Sequence, residues 1–357
     1  MKNQPLYKKI QDDIKERIRE GKLRPGDRIP SEKELAEQFH VSQITSKNAL
    51  IGLADEGILI RHQGKGTFVN DDVLNNHIPS LYADNQGNKQ NKGLIGLIVP
   101  TLRTKVEQMI VDYIERFAVQ NGYQVLLRIS RESQLTESEA IESMIGCGAK
   151  GIIIFPTEEE TYNEDILRLS LNKFPLVLID RYLKEIRTYS VSSDNVSGTF
   201  EAVTYMLDKG HEQIALISPE ITNTVTEDRA IGFEKAFYSK NLPINKNSWC
   251  IVNMEDVHNR ECGSLIQDFF RARPEITAAF VMNAELSNFA FQALKQMHKS
   301  APNDFMLFGF DDPGCPGVYY VQQDEKTMCR QSVTCLLEQI EGTFNPQRVT
   351  VPVKLSI

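Results

Sequence analysis

From Leu94 onward the chain repeats one pattern, in which short continuous apolar runs alternate with stretches of helical periodicity. Runs over 94–99, 123–127, 151–155, 175–180, 214–217, 278–282 and 305–308, with another near 250, predict strands. Stretches over 105–120, 136–146, from Asp194 to 209, 227–239, up to 272, and 285–298 predict helices. A strand without polar alternation is covered on both faces. Strands separated by helices join in parallel, so this region must fold as parallel α/β sheets. Such sheets bind ligands beyond the carboxyl ends of their strands. The polar residues at those ends are Asp180 and Arg181, Asn283, Asp311 and Gln323, with Arg229 on the helix after the 214–217 strand. Forked donors combined with carboxylates and amides suit a polyol, in which each hydroxyl both donates and accepts. Taken singly, each has a plainer role available, since strand-end Asp often caps a helix and Arg often pairs on the surface.

The first seventy residues read differently. Leu6, Ile10, Ile14 and Ile18 recur every fourth position, one stripe of a helix ended by Gly21. Ser31 and Glu34 form a capping box behind Pro30 and open a short helix with Leu35, Ala36 and Phe39. Ser42 caps a third helix carrying Ile44, Ala49, Leu50, Leu53 and Ala54, which stops near Gly57. Residues 58–61 and 67–69 predict two short strands around a glycine-bearing tip. Two helices joined by a tight turn and followed by a hairpin make a winged helix-turn-helix. The polar groups Ser42, Gln43, Thr45, Ser46 and Lys47 crowd the N-terminal end of the third helix. In this motif that end enters the major groove, where its amides also favour phosphate.

Charge divides along the same line. Residues 1–69 hold 13 Lys and Arg against 10 Asp and Glu, a net of +3, and the remainder holds 27 against 38, a net of −11. A basic head on an acidic body fits a head that meets phosphates. Residues 70–92 are polar and Asn-rich and read as a tether. The expected organisation is therefore a DNA-binding head at 1–69, a linker at 70–92 and a ligand-binding α/β domain at 93–357.

The residues 30–36 (Pro-Ser-Glu-Lys-Glu-Leu-Ala), Val41-Ser42-x-x-Thr45, Ala49-Leu50, Glu56-Gly57 and Gly64-x-Gly66-Thr67-Phe68-Val69 resemble the GntR head in order and spacing. The resemblance implies that Lys33, Ser42, Gln43, Thr45 and Lys47 face the major groove. It also implies that the wing tip, Gln63, Gly64 and Lys65, meets the minor groove or backbone. The family often has Arg where Gln43 and Lys47 stand here. Glutamine pairs with adenine and arginine with guanine, so the operator is expected to differ from the common one.

The body carries Ile179-Asp180-Arg181, Ser193-Asp194-Asn195, Gly210-His211, Arg229-x-x-Gly232-Phe233, Asn283-x-Glu285 and Gly309-Phe310-Asp311-Asp312. These resemble the LacI/GalR and periplasmic sugar-binding family. The resemblance implies two lobes of similar topology with a sugar between them, and 349–355 as a closing strand. It implies that Asp180, Arg181, Arg229, Asn283, Asp311 and Gln323 hold a monosaccharide, a pentose or similar small sugar. Lys105, Val106 and Glu107 stand where the family often has a stacking aromatic, and Glu107 is added as a candidate hydroxyl partner. Head and body together resemble AraR-type sugar-responsive repressors.

Other classes are disfavoured. Residues 146–151 satisfy G-x-G-x-x-G but follow a helix and precede a strand, the reverse of a dinucleotide loop. No P-loop, H-E-x-x-H or G-x-S-x-G motif occurs. The six cysteines are scattered without a C-x-x-C pair, which suits reduced thiols and neither a zinc site nor a disulfide frame. No run of eighteen apolar residues appears, and residues 1–20 lack a secretory signal, so a cytoplasmic, non-membrane location is expected. The expectation is a dimeric, non-enzymatic repressor without cofactor or metal, released from operator DNA by a pentose or deoxyhexose. A sugar phosphate or nucleoside is the alternative effector.

Overall fold

The computed structural model describes residues 5–62, 65–70, 92–157, 163–184, 186–253 and 262–357. Their contacts divide the chain into Met1–Gln90 and Asn91–Ile357. The expected linker lies almost wholly outside the described residues, as do Gln63 and Gly64 of the wing tip.

The first unit has helices α1 (Leu6–Arg19), α2 (Glu32–Phe39) and α3 (Gln43–Asp55), then strands β1 (Leu59–His62) and β2 (Gly66–Val69). Ser31 and Glu34 close the capping box that starts α2, and the Ser42 hydroxyl accepts the Thr45 amide at the start of α3. Beyond the end of α3, Gly57 turns the chain with φ +71°, a conformation that costs glycine little. Antiparallel pairing of β1 and β2 makes the wing, and Ile10, Ile14, Ile18, Leu35, Leu50, Leu53 and Ile58 fill the core. Leu6 of the expected stripe and Ile44 of the third helix are outside it. Leu6 is half exposed at the first turn of α1, and Ile44 is 72% exposed. On α3 the inward face is Ser46, Ala49, Leu50 and Leu53, and Ile44 lies half a turn from that direction. Ser46, expected on the polar face, is instead fully buried, its hydroxyl bonded to the Glu32 and Gln43 carbonyls.

The second unit is a repeated lobe. Lobe 1 holds β3 (Gly93–Val99), α4 (Lys105–Gln120), β4 (Tyr123–Ile129), α5 (Gln134–Gly146), β5 (Ala149–Ile154), α6 (Glu164–Leu171), β6 (Leu176–Ile179) and β7 (Tyr189–Ser193). The chain then passes to lobe 2, with α7 (Asn195–Asp208), β8 (Ile214–Pro219), α8 (Thr224–Ser239), β9 (Trp249–Val252), α9 (Cys262–Arg271), β10 (Ala278–Val281), α10 (Ala284–Gln296), β11 (Met306–Phe310) and β12 (Tyr319–Gln322). It returns for α11 (Glu325–Ile340) and β13 (Arg348–Val351), and ends in lobe 2 with β14 (Lys354–Ser356). The sheet orders, β13-β7-β6-β5-β3-β4 and β14-β12-β11-β10-β8-β9, are the same pattern twice. Both sheets are buried on two faces. In β3, Leu97 and Val99 join the cluster under α4 while Ile98 joins the one under α5. This is the double cover that the unbroken apolar runs require.

Two features were not legible beforehand. Strand β7, Tyr-Ser-Val-Ser-Ser, is buried throughout although three of its five residues are serines. Its position inside the sheet, not its apolarity, makes it a strand. The single closing strand expected over 349–355 is two strands. Val351 ends the pairing of β13 with β7 in lobe 1, and after Pro352 and Val353 the chain pairs antiparallel with β12 in lobe 2. Proline supplies no ladder donor and so ends the first strand. The G-x-G-x-x-G stretch joins α5 to β5, a helix-to-strand turn.

Candidate functional site

In the head, α3 presents Gln43, Ile44, Lys47 and Asn48 to solvent. Ser42 and Thr45 are mutually engaged, hydroxyl to hydroxyl at 2.8 Å, as the cap of α3. A concavity of about 620 Å³ lies between the starts of α2 and α3 and the wing, lined by Arg28, Lys33, Gln43, Arg61 and His62. Lys65 is exposed on the wing beside β2. The sequence reading missed Arg28 and Arg61. Arg28 bridges to Phe68 of the wing and Arg61 ion-pairs with Glu32. Only the fold brings these basic groups to the same mouth as Gln43.

In the body, the two lobes present matching aspartates. Asp180 follows β6 and Asp311 follows β11, with φ +69° and +68°. Their amides donate to Val191 and Val321 of the next strands, at 2.8 and 2.9 Å. Aspartate tolerates this left-handed turn better than most residues because its short side chain bonds locally. Arg229, on α8, is 5% exposed. Its guanidinium lies flat over Phe310 at 3.5 Å, donates from Nε to Asn195 at 2.9 Å, and donates from a terminal nitrogen to the Met282 carbonyl. Gln323 donates to Asp311 at 2.8 Å and accepts from Ser193 at 2.5 Å. Burial pushes both the Asp180 and Asp311 carboxyls above the usual carboxylate range; the charges of Arg181 and then Arg229 oppose it at Asp180, and the Arg229 charge opposes it at Asp311. Burial in turn lowers Arg229, against which the two aspartates act. The structure thus brings buried Asp180, Arg229 and Gln323 and half-buried Asp311 into one polar cluster where the lobes meet.

The remaining three candidates sit around that cluster. Asn283 caps α10, its side-chain oxygen accepting the Leu286 amide, next to the carbonyl that Arg229 holds. Glu107 is buried as the third residue of the α4 capping box, bonded to Thr101 and Thr104, and reaches Asp180 through its field. Arg181 acts on Asp180 through its charge while its guanidinium is held by lobe 1. It donates to the Pro156 carbonyl at 2.6 Å and lies over Phe155. There it lines a cavity of about 250 Å³ with Glu137, Thr157, Asn163, Asn223 and Thr224. Of the seven candidates Arg181 alone lines this cavity. Among the described residues no group of three or more His, Cys, Asp or Glu is placed to hold a metal ion.

A link between lobes borders this cavity. The Tyr182 hydroxyl donates to Asp228 at 3.0 Å, and Arg348 reaches the same carboxylate at 3.1 Å while stacking on the Tyr182 ring at 3.3 Å. Burial and the Asp228 charge push the Tyr182 phenol up to about 12, so it remains a donor at neutral pH. Nothing in the sequence pointed to this trio, whose members are far apart in the chain.

Glu137 gives the cavity a pH dependence. Burial raises its carboxyl to about 7, although Asn163 and the Thr157 amide both donate to it. The folded state therefore holds a proton between about pH 4.5 and 7 that the unfolded chain has already lost. Stability contributed at this site is present below that window and falls as pH rises through it. Thermal midpoints measured from pH 4.5 to 8 are expected to fall more steeply for the wild type than for Glu137→Gln. Parallel profiles would remove Glu137 as the cause.

Residues 95–314 match the model of the periplasmic binding protein domain, and residues 6–69 match that of bacterial regulatory proteins of the gntR family. The chain belongs to the periplasmic binding protein domain family and carries a GntR-family head. The head is accordingly a DNA-binding helix-turn-helix, and the body has the LacI-type regulator fold. An arabinose metabolism transcriptional repressor of Geobacillus stearothermophilus is 28% identical over 315 residues, 87% of this chain and 83% of the relative. The protein of the same name from Halalkalibacterium halodurans is 26% identical over 309 residues, 86% and 80% of the two chains. A solved structure assigned to a ribose operon repressor of Burkholderia thailandensis superposes with a TM-score of 0.65 at 25% identity, covering 73% of this chain and 98% of that one. Among the described residues no helix is long and apolar enough to cross a membrane.

Proposed function

We propose that this protein is a sugar-responsive transcriptional repressor. It binds operator DNA as a homodimer through residues 1–69 and is released when a monosaccharide, a pentose such as arabinose, enters the cleft between the lobes of residues 93–357, with 70–92 as tether. The observation that carries the reading is the Asp180–Arg229–Asp311–Gln323 cluster, buried except for half-buried Asp311. It offers a stacked guanidinium fork, two carboxylates and an amide where the lobes meet. The names of the arabinose and ribose operon relatives support a pentose. Glu107, Arg181 and Asn283 complete the proposed sugar site, and Lys33, Ser42, Gln43, Thr45, Lys47 and Lys65, with Gln63 and Gly64 at the wing tip, the proposed DNA contacts.

A ligand shifts operator affinity only by its differential affinity for the two arrangements of the lobes. The Tyr182–Asp228–Arg348 contacts join the lobes and would be remade on any change in their relation. Thermal shift against pentoses, deoxyhexoses, hexoses, their phosphates and nucleosides tests the site. A free pentose at a hundredfold excess over its dissociation constant should stabilise by about 2.7 kcal/mol. A response to phosphates or nucleosides alone would overturn the pentose reading.

On the DNA side, Lys47→Ala is expected to weaken operator binding and reduce the slope of log affinity against log salt by about 1. Anisotropy titrations between 50 and 200 mM salt read this directly; unchanged affinity and slope would take Lys47 and the start of α3 out of the DNA interface.

A further inference from the structure

We infer that Ile44 reads thymine in the operator, packing its side chain against the 5-methyl group of one or two thymines in the major groove. The inference rests on the head being a DNA-binding helix-turn-helix. Ile44 is 72% exposed at the N-terminal end of α3. Its neighbours on the exposed face are Gln43, Lys47 and Asn48, so it is the one apolar group on the surface that enters the groove. The helix does not need it there. The core face is complete with Ala49, Leu50 and Leu53, and Ser46 fixes α3 against α2. Two other side chains of similar size, Leu135 and Leu171, are equally exposed, and single exposed apolar residues are ordinary. Ile44 differs in what surrounds it. Arg28, Lys33 and Arg61 line the adjoining concavity, and with Glu32, which pairs with Arg61, they leave it a net positive charge that attracts phosphate. This charge seats the helix end against base edges, where a branched aliphatic group can neither donate nor accept.

Of the groups that base pairs display in the major groove, only the thymine methyl is apolar. Gln43, next along the helix, has the amide geometry that pairs with adenine N6 and N7. The thymine opposite or beside such an adenine projects its methyl into the same groove. Gln43 and Ile44 together therefore specify A·T steps, Gln43 by hydrogen bonds and Ile44 by burial.

The test begins with full-length protein selecting duplexes from a random library without sugar. In the best selected duplex each dT is then replaced singly by dU, which removes only the methyl. Binding of the wild type should weaken about fourfold at one or two of these positions, the loss expected for one buried methyl-sized group. Ile44→Ala should bind the dT duplex more weakly and be indifferent to the same dU replacements. Alanine is a better helix former than isoleucine and the site is exposed, so the variant should keep the wild-type thermal midpoint. Wild-type binding insensitive to every dU replacement overturns the inference, as does an Ile44→Ala variant that keeps the full sensitivity. Failure to select any sequence would overturn the DNA-binding reading itself, a result distinct from selection without methyl sensitivity.

Discussion

Replacing Arg229 with alanine is expected to abolish the response of operator binding to every sugar that stabilises the wild type, and to cost about 3–5 kcal/mol of stability. The cost arises because Asp311 would lose the cation that most offsets its desolvation, and Asp180 would lose one of the two, Arg181 and Arg229, that offset its own. Their carboxyls, already raised by burial, would rise further. The folded variant would then keep protons that the unfolded chain loses above about pH 4. The penalty should therefore be smaller at pH 5 than at pH 8. Arg229→Lys separates charge from shape. It should recover part of the stability by keeping a cation. It should not recover sugar binding, because an ammonium cannot reproduce the flat contact with Phe310 together with the bonds to Asn195 and Met282. Thermal midpoints at the two pH values and calorimetry with the active sugar measure both parts. A sugar response surviving in Arg229→Ala would sink the proposed site.

The second large effect concerns a residue that touches no ligand. Gly232→Val is expected to lower the melting temperature by roughly 5–10 °C. A Cβ on Gly232 would stand 2.5 Å from the Val196 carbonyl oxygen and 2.8 Å from the Thr199 Cβ, because α8 crosses α7 in close contact there. Backbone cannot yield as a side-chain tip can, so the helices must separate. Arg229 lies one turn earlier on α8, and its bond to Asn195 at the start of α7 depends on the same approach. The variant should therefore also bind sugar less tightly. Gly263→Ala is the control: the added Cβ would meet only a Phe289 ring atom at 3.8 Å, an ordinary contact. A differential melt of the two variants against the wild type decides it, and equal midpoints for Gly232→Val and the control would contradict the close crossing.

These two residues mark how far the sequence reaches. Arg229 and Gly232 were singled out from a motif, yet the motif did not disclose that both face α7. The same holds for the strand-end aspartates. Their place after apolar runs was visible. Their matched left-handed turns follow from the repetition of one lobe by the other, and the charge of Arg229 acting on both follows from how the two lobes meet.

The sequence alone determined the class of fold, because unbroken apolar runs between amphipathic stretches have no other stable arrangement than doubly covered parallel sheets. It also determined the helix starts at Ser31 and Ser42, since a cap is a bond between residues three apart. Tertiary structure decided everything that depends on which side of an element faces which neighbour. Ile44 is one of the apolar residues α3 carries, but the direction of α3 leaves it outside the core, and Ser46, on the polar face by sequence, is covered by α2. Strand β7 is buried by its place in the sheet despite its serines, and the last strand is divided between lobes at Pro352 and Val353. Arg28 joins Gln43, and Tyr182 joins Asp228 and Arg348, across separations that no local pattern records. Local rules act over a few residues, and a site assembled from distant strand ends is specified only when the whole chain has packed.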